Sequence, residues 1–358
     1  MLLPPVRGRI KDTPEDFVVE ELPAYSPSGA GEHVFVRFTK RDLNTLDAVK
    51  LLAAALSCDA RAAGFAGMKD RRAVATQTIS LHVPRGVAPE DLAARARQVS
   101  VEGITVVDAT PHGHKLKPGH LAGNRFTIVV RGLPPDRLED VTRELERVGR
   151  EGVPNAFGAQ RFGMRGDNVE RALAWLRGDE RGPRDPRKAR LLWSSVQSAV
   201  FNAVLDERVR DGTWTTPLEG DLIKLRTSGG MFTCTDVATD RERAARGEVS
   251  PTGPIAGDEM PWPGGAPGEL ERKVTAGIVG ADFDLKRTHR LGAGSRRSLR
   301  LWVEDLRWES LGQGGRSSDP SIRVYFVLPK GAYATTVLEA AMALEEDPRN
   351  RELETVSP

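Results

Sequence analysis

Apolar and polar residues alternate in two early stretches, Phe17-Val18-Val19-Glu20-Glu21 and Val34-Phe35-Val36-Arg37-Phe38, and that spacing predicts strands. A helical period then runs through Leu46, Val49, Leu52 and Leu56, opened by Asn44 and Asp47. Thr78 to Val83 alternates again as a strand, residues 89–98 read as a helix, and 103–107 as another strand. The β-branched and aromatic run Phe126-Thr127-Ile128-Val129-Val130 predicts a buried strand, followed by a helix over 136–150. Connections this short favour antiparallel neighbours over a doubly wound sheet, an α/β chain of the α+β type.

After Gly152 the pattern changes. Residues 168–178 and 191–211 predict helices, and 221–225 and 231–235 short strands. Glycine, proline and charge dominate 239–275, including Ser250-Pro251-Thr252-Gly253-Pro254 and Pro261-Trp262-Pro263-Gly264-Gly265, which predicts a long ordered loop. Strand patterns resume at 302–308 and 322–328, and Tyr333 to Leu344 reads as an amphipathic helix. The middle block is therefore expected to be an inserted domain, after which the chain returns to complete the first domain's sheet. There is no internal repeat.

A chain of 358 residues is long enough for two ordinary domains. The formal charge is only +2, so a nucleic-acid partner has to be met by local basic surface. Two intervals lack acids: Asp108 to Asp136, holding Lys115, Lys117, Arg125 and Arg131 with His112, His114 and His120, and Asp284 to Glu304, holding Lys286, Arg287, Arg290, Arg296, Arg297 and Arg300 with His289. Cys58 and Cys234 are too few and too far apart for a disulfide framework or a thiolate metal site, as befits a reducing compartment. The first residues lack the charge and apolar run of a signal peptide, and no run approaches membrane-spanning length, so a cytoplasmic protein with no membrane partner is expected.

Candidate chemistry begins at Gly64-Phe65-Ala66-Gly67-Met68-Lys69-Asp70-Arg71-Arg72, where one acid sits among three cations after a glycine turn. Cations beside Asp70 favour its charged form and attract phosphate. Three further segments mix cations, amides and aromatics: Lys11-Asp12-Thr13-Pro14-Glu15-Asp16-Phe17, the glycine-containing stretch from Lys115 to Phe126 with Asn124 inside it, and Pro329-Lys330-Gly331-Ala332-Tyr333. Together they suit a base-handling site, with aromatic faces for stacking, an amide for the uracil edge and loop cations for phosphates.

These segments, with Gly67 to Gln77 and Pro154-Asn155-Ala156-Phe157-Gly158-Ala159-Gln160-Arg161-Phe162-Gly163, resemble the signature blocks of the TruD family of tRNA pseudouridine synthases, in order along almost the whole chain. The resemblance implies a catalytic domain with a mixed, largely antiparallel sheet, in two parts at 1–152 and 302–358, interrupted by a TruD-specific α/β domain at 153–301. It implies isomerisation of uridine 13 in the tRNA D arm, with tRNA as the partner, no cofactor, no metal and no obligate protein partner. Asp70 matches the family's catalytic aspartate. Phe17, Asn124 and Tyr333 match substrate-contacting positions, and Lys11, Lys69, Gln77 and Phe126 match other motif residues around the site. The chain departs from the family pattern at Tyr333, commonly Phe, at Ala75, often Thr, and at Ala156, usually aromatic.

Two other classes compete with this reading. A methyltransferase or deaminase has little support, because Leu291-Gly292-Ala293-Gly294 is only a fragment of a dinucleotide motif, the two cysteines are too distant for a zinc cluster, and His112, His114 and His120 have no acids or thiols nearby. A non-catalytic RNA-binding protein would use the basic intervals and leave Asp70 idle.

Overall fold

A computed structural model of the chain describes residues 5–163, 165–311 and 320–346. It divides into two compact units, one formed by the chain up to Gly149 and again from Val303 onward, the other by Arg150–Trp302. The first unit opens with β1 (Arg7–Ile10), β2 (Phe17–Pro23), β3 (His33–Arg41), α1 (Thr45–Ala55), β4 (Gly64–Phe65) and β5 (Val74–His82). It continues with α2 (Pro89–Arg97), β6 (Ser100–Val101), β7 (Ile104–His112), β8 (Leu121–Val130) and α3 (Leu138–Glu151), whose last turn enters the second unit. The second unit holds β9 (Val153–Pro154), α4 (Asn168–Arg177), α5 (Pro186–Arg210), β10 (Leu222–Leu225), β11 (Met231–Thr233) and α6 (Val237–Ala245). It ends with β12 (Val249–Ile255), α7 (Gly265–Val279), β13 (Ser295–Ser298) and β14 (Arg300–Leu301). The chain then returns to the first unit as β15 (Glu304–Leu311), β16 (Ser321–Pro329), α8 (Ala334–Glu339) and β17 (Ala343–Glu346).

The main sheet of the first unit runs β15-β16-β8-β2-β5-β3-β7-β6, with β4 attached to β5. Its pairs are antiparallel apart from β2 and β5, which run parallel for only three residue pairs, Val18–Val74, Val19–Ala75 and Glu20–Thr76. The two-residue period carries Val34, Val36 and Phe38 to the face covered by Val49, Leu52 and Leu56 of the α1 region and by Leu92 and Ala96 of α2. α1 starts as its sequence requires, the Asn44 side chain accepting the Asp47 N–H.

Two expectations fail. Residues 239–275 are not a loop, because α6, β12 and α7 occupy most of that span. The prolines of β12 are tolerated inside a sheet because other groups take over bonding at this strand. The Thr252 hydroxyl donates to the Leu222 carbonyl, and Arg296 donates to both oxygens of Thr252. α7 is hidden in the sequence because its buried face includes Glu271 and Thr275, with Glu271 paired to buried Arg296 at 2.5 and 2.7 Å. Tyr333 to Leu344 is not one helix. It splits into α8 and β17, which adds in parallel to β1.

The acid-free intervals are also less basic outside than their composition suggests. Arg131 pairs with Asp16 and Arg125 with Glu20, while Arg296, Arg297 and Arg300 turn inward to Glu271, Asn155 and the Ala244 carbonyl. No helix among the described residues is long and apolar enough to cross a membrane.

Gly64 begins the loop that carries Asp70, and a β-carbon there would run into the Leu116 carbonyl and the Ser80 hydroxyl. Gly64→Ala is therefore expected to lower unfolding free energy by about 1–3 kcal/mol in urea titrations. An unchanged midpoint would show that the loop has slack.

Candidate active site

The loop from β4 to β5 is tied down at successive residues. The Lys69 N–H donates to the Thr45 hydroxyl at 2.9 Å, and that hydroxyl donates to Gln77 Oε1 at 3.3 Å. The Asp70 carbonyl accepts from Lys40 Nζ at 2.6 Å. The Arg72 guanidinium donates to the carbonyls of Lys11 and Asp12 at 2.8 and 2.6 Å. The Asp70 side chain faces solvent, 43% exposed, with Lys11 Nζ 3.1 Å from its carboxylate.

This changes the electrostatics expected from sequence. None of the three neighbouring cations forms a described ion pair with the Asp70 carboxylate: Lys69 reaches Glu21, Arg71 lies 3.9 Å from Asp42, and Arg72 is spent on backbone carbonyls. Its ion-pair partner, Lys11, comes from the turn between β1 and β2 and is 5% exposed. Lys11 has φ of 60°, a left-handed conformation that an L side chain adopts at a cost. That conformation accompanies an ammonium lodged between Asp70 and the Phe17 ring, 4.8 Å from the ring centroid.

Lys69 Nζ lies 3.2 Å from Glu21 Oε2 and donates to Asn124 Oδ1 at 2.7 Å. An ammonium only donates, so it fixes the Asn124 oxygen inward and leaves the Nδ2 donors for a ligand. Asn124 thus offers one edge to a base, where both were expected. It stands on β8, opposite Glu21 of β2 and Leu328 of β16. Tyr333, 40% exposed, caps α8 just beyond the end of β16. Phe17 and Phe126 are 4% and 7% exposed and meet edge to face at 6.1 Å, with Phe326 stacked on Phe126 at 5.3 Å. Both therefore form a wall behind the site. Gln77 is wholly buried and acts on the loop through Thr45.

Of the departures noted in the sequence, Ala75 is fully buried, and Thr76 bonds the Thr39 hydroxyl at 2.8 Å on the other face of the strand. Ala156 packs in the second unit against the Phe201 and Leu299 cluster.

Lys40 and Glu21 belong to this constellation and were missed as site residues. The signal was present in the alternation itself: Val34, Val36, Phe38, Lys40 and Phe17, Val19, Glu21 each end an inward-facing series on a charge. Such a charge is retained only where it is paired. Burial pushes the Lys40 ammonium down to about 8, opposed by Asp70 and Asp42 and aided by Lys69.

His112, His114 and His120 gather around Tyr25, and His112 is buried against Phe35. No three His, Cys, Asp or Glu side chains among the described residues converge as a metal-holding group. Leu291 to Gly294 follows a short turn and leads into β13, not the strand-to-helix setting a dinucleotide loop needs.

The family model for TruD, tRNA pseudouridine synthase D, matches residues 2–182 and 185–340. The chain belongs to the TruD family. A TruD relative from Anaeromyxobacter dehalogenans is 41% identical over 343 residues, covering 94% of this chain and 93% of that protein. One from Geobacter metallireducens is 37% identical over 404 aligned residues, covering 95% and 96%. A solved TruD structure from Methanosarcina mazei shares the fold, with a TM-score of 0.74 at 23% identity and 94% of each chain covered. The TruD membership accounts for the α/β fold with mixed sheets and for the order of the motifs.

Lys40 also ties this site to pH. In the folded chain it holds its proton only below about pH 8, and in an unfolded chain up to about pH 10.4. Between these values the unfolded state binds more protons, so folding becomes more favourable as pH rises. Relative to Lys40→Met, the wild-type chain is expected to gain about 2 kcal/mol between pH 7 and pH 10 in urea unfolding. A difference that does not change with pH would contradict this.

Proposed function

We propose that this chain converts uridine 13 of the tRNA D arm to pseudouridine, with Asp70 as the reacting carboxylate and the unit formed by the two outer segments as the catalytic domain. The observation that carries the reading is the Asp70 carboxylate itself: half-exposed, paired with a buried lysine, and mounted on a loop whose backbone is held by Lys40, Thr45 and Arg72. Family membership supports the reaction class, since the relatives are named tRNA pseudouridine synthase D.

The reaction breaks the bond from ribose C1′ to uracil N1, turns the base, joins C1′ to C5 and releases the C5 proton. An ionised carboxylate at the sugar serves either as a nucleophile at C1′ or as a base for a ribose proton. In both routes the preorganised loop supplies its main advantage, since the charge is already in position when the sugar arrives. The Asn124 amide donors hold a uracil carbonyl while the base is detached, and the Tyr333 ring provides the exposed aromatic surface. Lys69 and Glu21 orient Asn124, and Lys11 sets the carboxylate. The target nucleotide has to leave its stack, at a cost of a few kcal/mol, before C1′ is within reach. No step calls for a metal or a redox group.

Tritium release from C5-labelled tRNA tests the assignment. Asp70→Asn is expected to lower turnover by about 10³-fold or more while RNA affinity persists. Pseudouridine formation by that variant near the wild-type rate would overturn the role of Asp70. Asn124→Ala is expected to reduce kcat/KM by roughly 10- to 100-fold. A transcript with cytidine at position 13 is expected to yield no product, and product elsewhere in it would refute the position.

A further inference from the structure

Beside the candidate active site lies a half-open cleft of about 120 Å³ that the proposed reaction does not use. We propose that it is a second nucleotide pocket, taking an unstacked base from the same RNA strand that delivers the target uridine. The inference rests on the reading of the chain as an RNA-modifying enzyme.

The cleft has the composition such a ligand needs. Tyr25, Phe35, His120 and Leu116 give it aromatic and apolar walls. Tyr25 is held in place, its hydroxyl 2.9 Å from His120 Nδ1 and its ring stacked on His112 at 5.5 Å. Polar groups sit around those walls: Asp108 and Thr110 from β7, Thr78 from β5 and Arg37 from β3. A planar heterocycle with hydrogen-bonding edges fits this combination, whereas a lipid or an aliphatic ligand would bring no polar edge to the hydroxyls and charged groups of the rim.

Two further observations favour a nucleotide within a strand. Lys115 and Lys117 flank the pocket residue Leu116 and form no ion pair among the described residues. Several arginines of the unit, among them Arg7, Arg41, Arg97, Arg125 and Arg131, are by contrast each paired with a carboxylate. Unpaired lysines beside an aromatic cleft suit a phosphate backbone. In addition, Glu21 lines the cleft and also faces Lys69, which bonds Asn124, so one side chain separates the two sites. The slot is left by β2 and β5, whose pairing stops at Glu20 and Thr76; beyond it the Glu21 carboxylate takes the Thr78 N–H at 3.2 Å.

The test measures RNA affinity in the full chain carrying Asp70→Asn, so it does not depend on turnover. Unmodified tRNA transcripts would each carry one abasic residue at a position flanking the target uridine. We expect one abasic position to weaken binding about tenfold. That penalty should disappear when Tyr25→Ala is added, and equally with Thr110→Phe, which fills the cleft from β7. Abasic penalties that persist unchanged in both variants would overturn the proposal. Uniform weakening of every transcript would also overturn it, since that is what a merely structural defect produces. Saturable binding of free nucleoside monophosphates to the cleft, without coupling to any RNA position, would likewise assign it to another ligand. Failure of wild-type enzyme to make pseudouridine would refute the function and leave the affinity coupling to be judged separately.

Discussion

Three ammonium groups removed from water determine the shape of the candidate active site. Lys11, Lys40 and Lys69 are nearly or wholly buried, and each must find acceptors or pay several kcal/mol for its lost hydration. The acceptors come from the Asp70 carboxylate, the Asp70 carbonyl, and Glu21 with Asn124. Any large displacement of the loop would strand one of these charges. The loop is therefore rigid for an electrostatic reason, although its own sequence, with two glycines and a run of polar residues, suggests mobility.

The sheet makes this arrangement possible where the β2–β5 pairing ends. Its single parallel pair is short, and where β2 and β5 part, a side chain replaces the backbone ladder. Glu21 therefore has two tasks: it closes the gap in the sheet and anchors Lys69. Neighbouring strands supply Asn124 from β8 and Lys40 from β3, so groups distant in sequence meet on adjoining strands.

Much of this was legible in the residue pattern. The strands at Phe17, Val34, Thr78 and Phe126, the helix at Asn44, and the Asp70 loop follow from period, caps and composition. The parts that were not legible share one cause: inward positions occupied by polar groups. α7 turns Glu271 and Thr275 inward, and β12 carries prolines whose neighbours are bonded by hydroxyls and Arg296. Lys40 and Glu21 break the apolar alternation at the point where the chemistry is concentrated. The ion pairing of Asp70 was misread for a related reason, because adjacency in sequence says little about which cation a loop folds against. Lys11, almost sixty residues away, is the one that arrives.

The pairing of β16 with β8 joins Ser321–Pro329 to a strand some two hundred residues earlier. On the ribosome, β8 is made long before its partner, and the whole middle unit is synthesised in between. Until β16 emerges, β8 presents an apolar edge strand, open to association with other chains. Contacts this distant also slow folding, since their loop entropy is paid before they form. The strand that carries Asn124 is thus made in the first half of the chain and enclosed only when one of the last segments arrives, so the nascent chain is most vulnerable to aggregation along the edge that β16 finally covers.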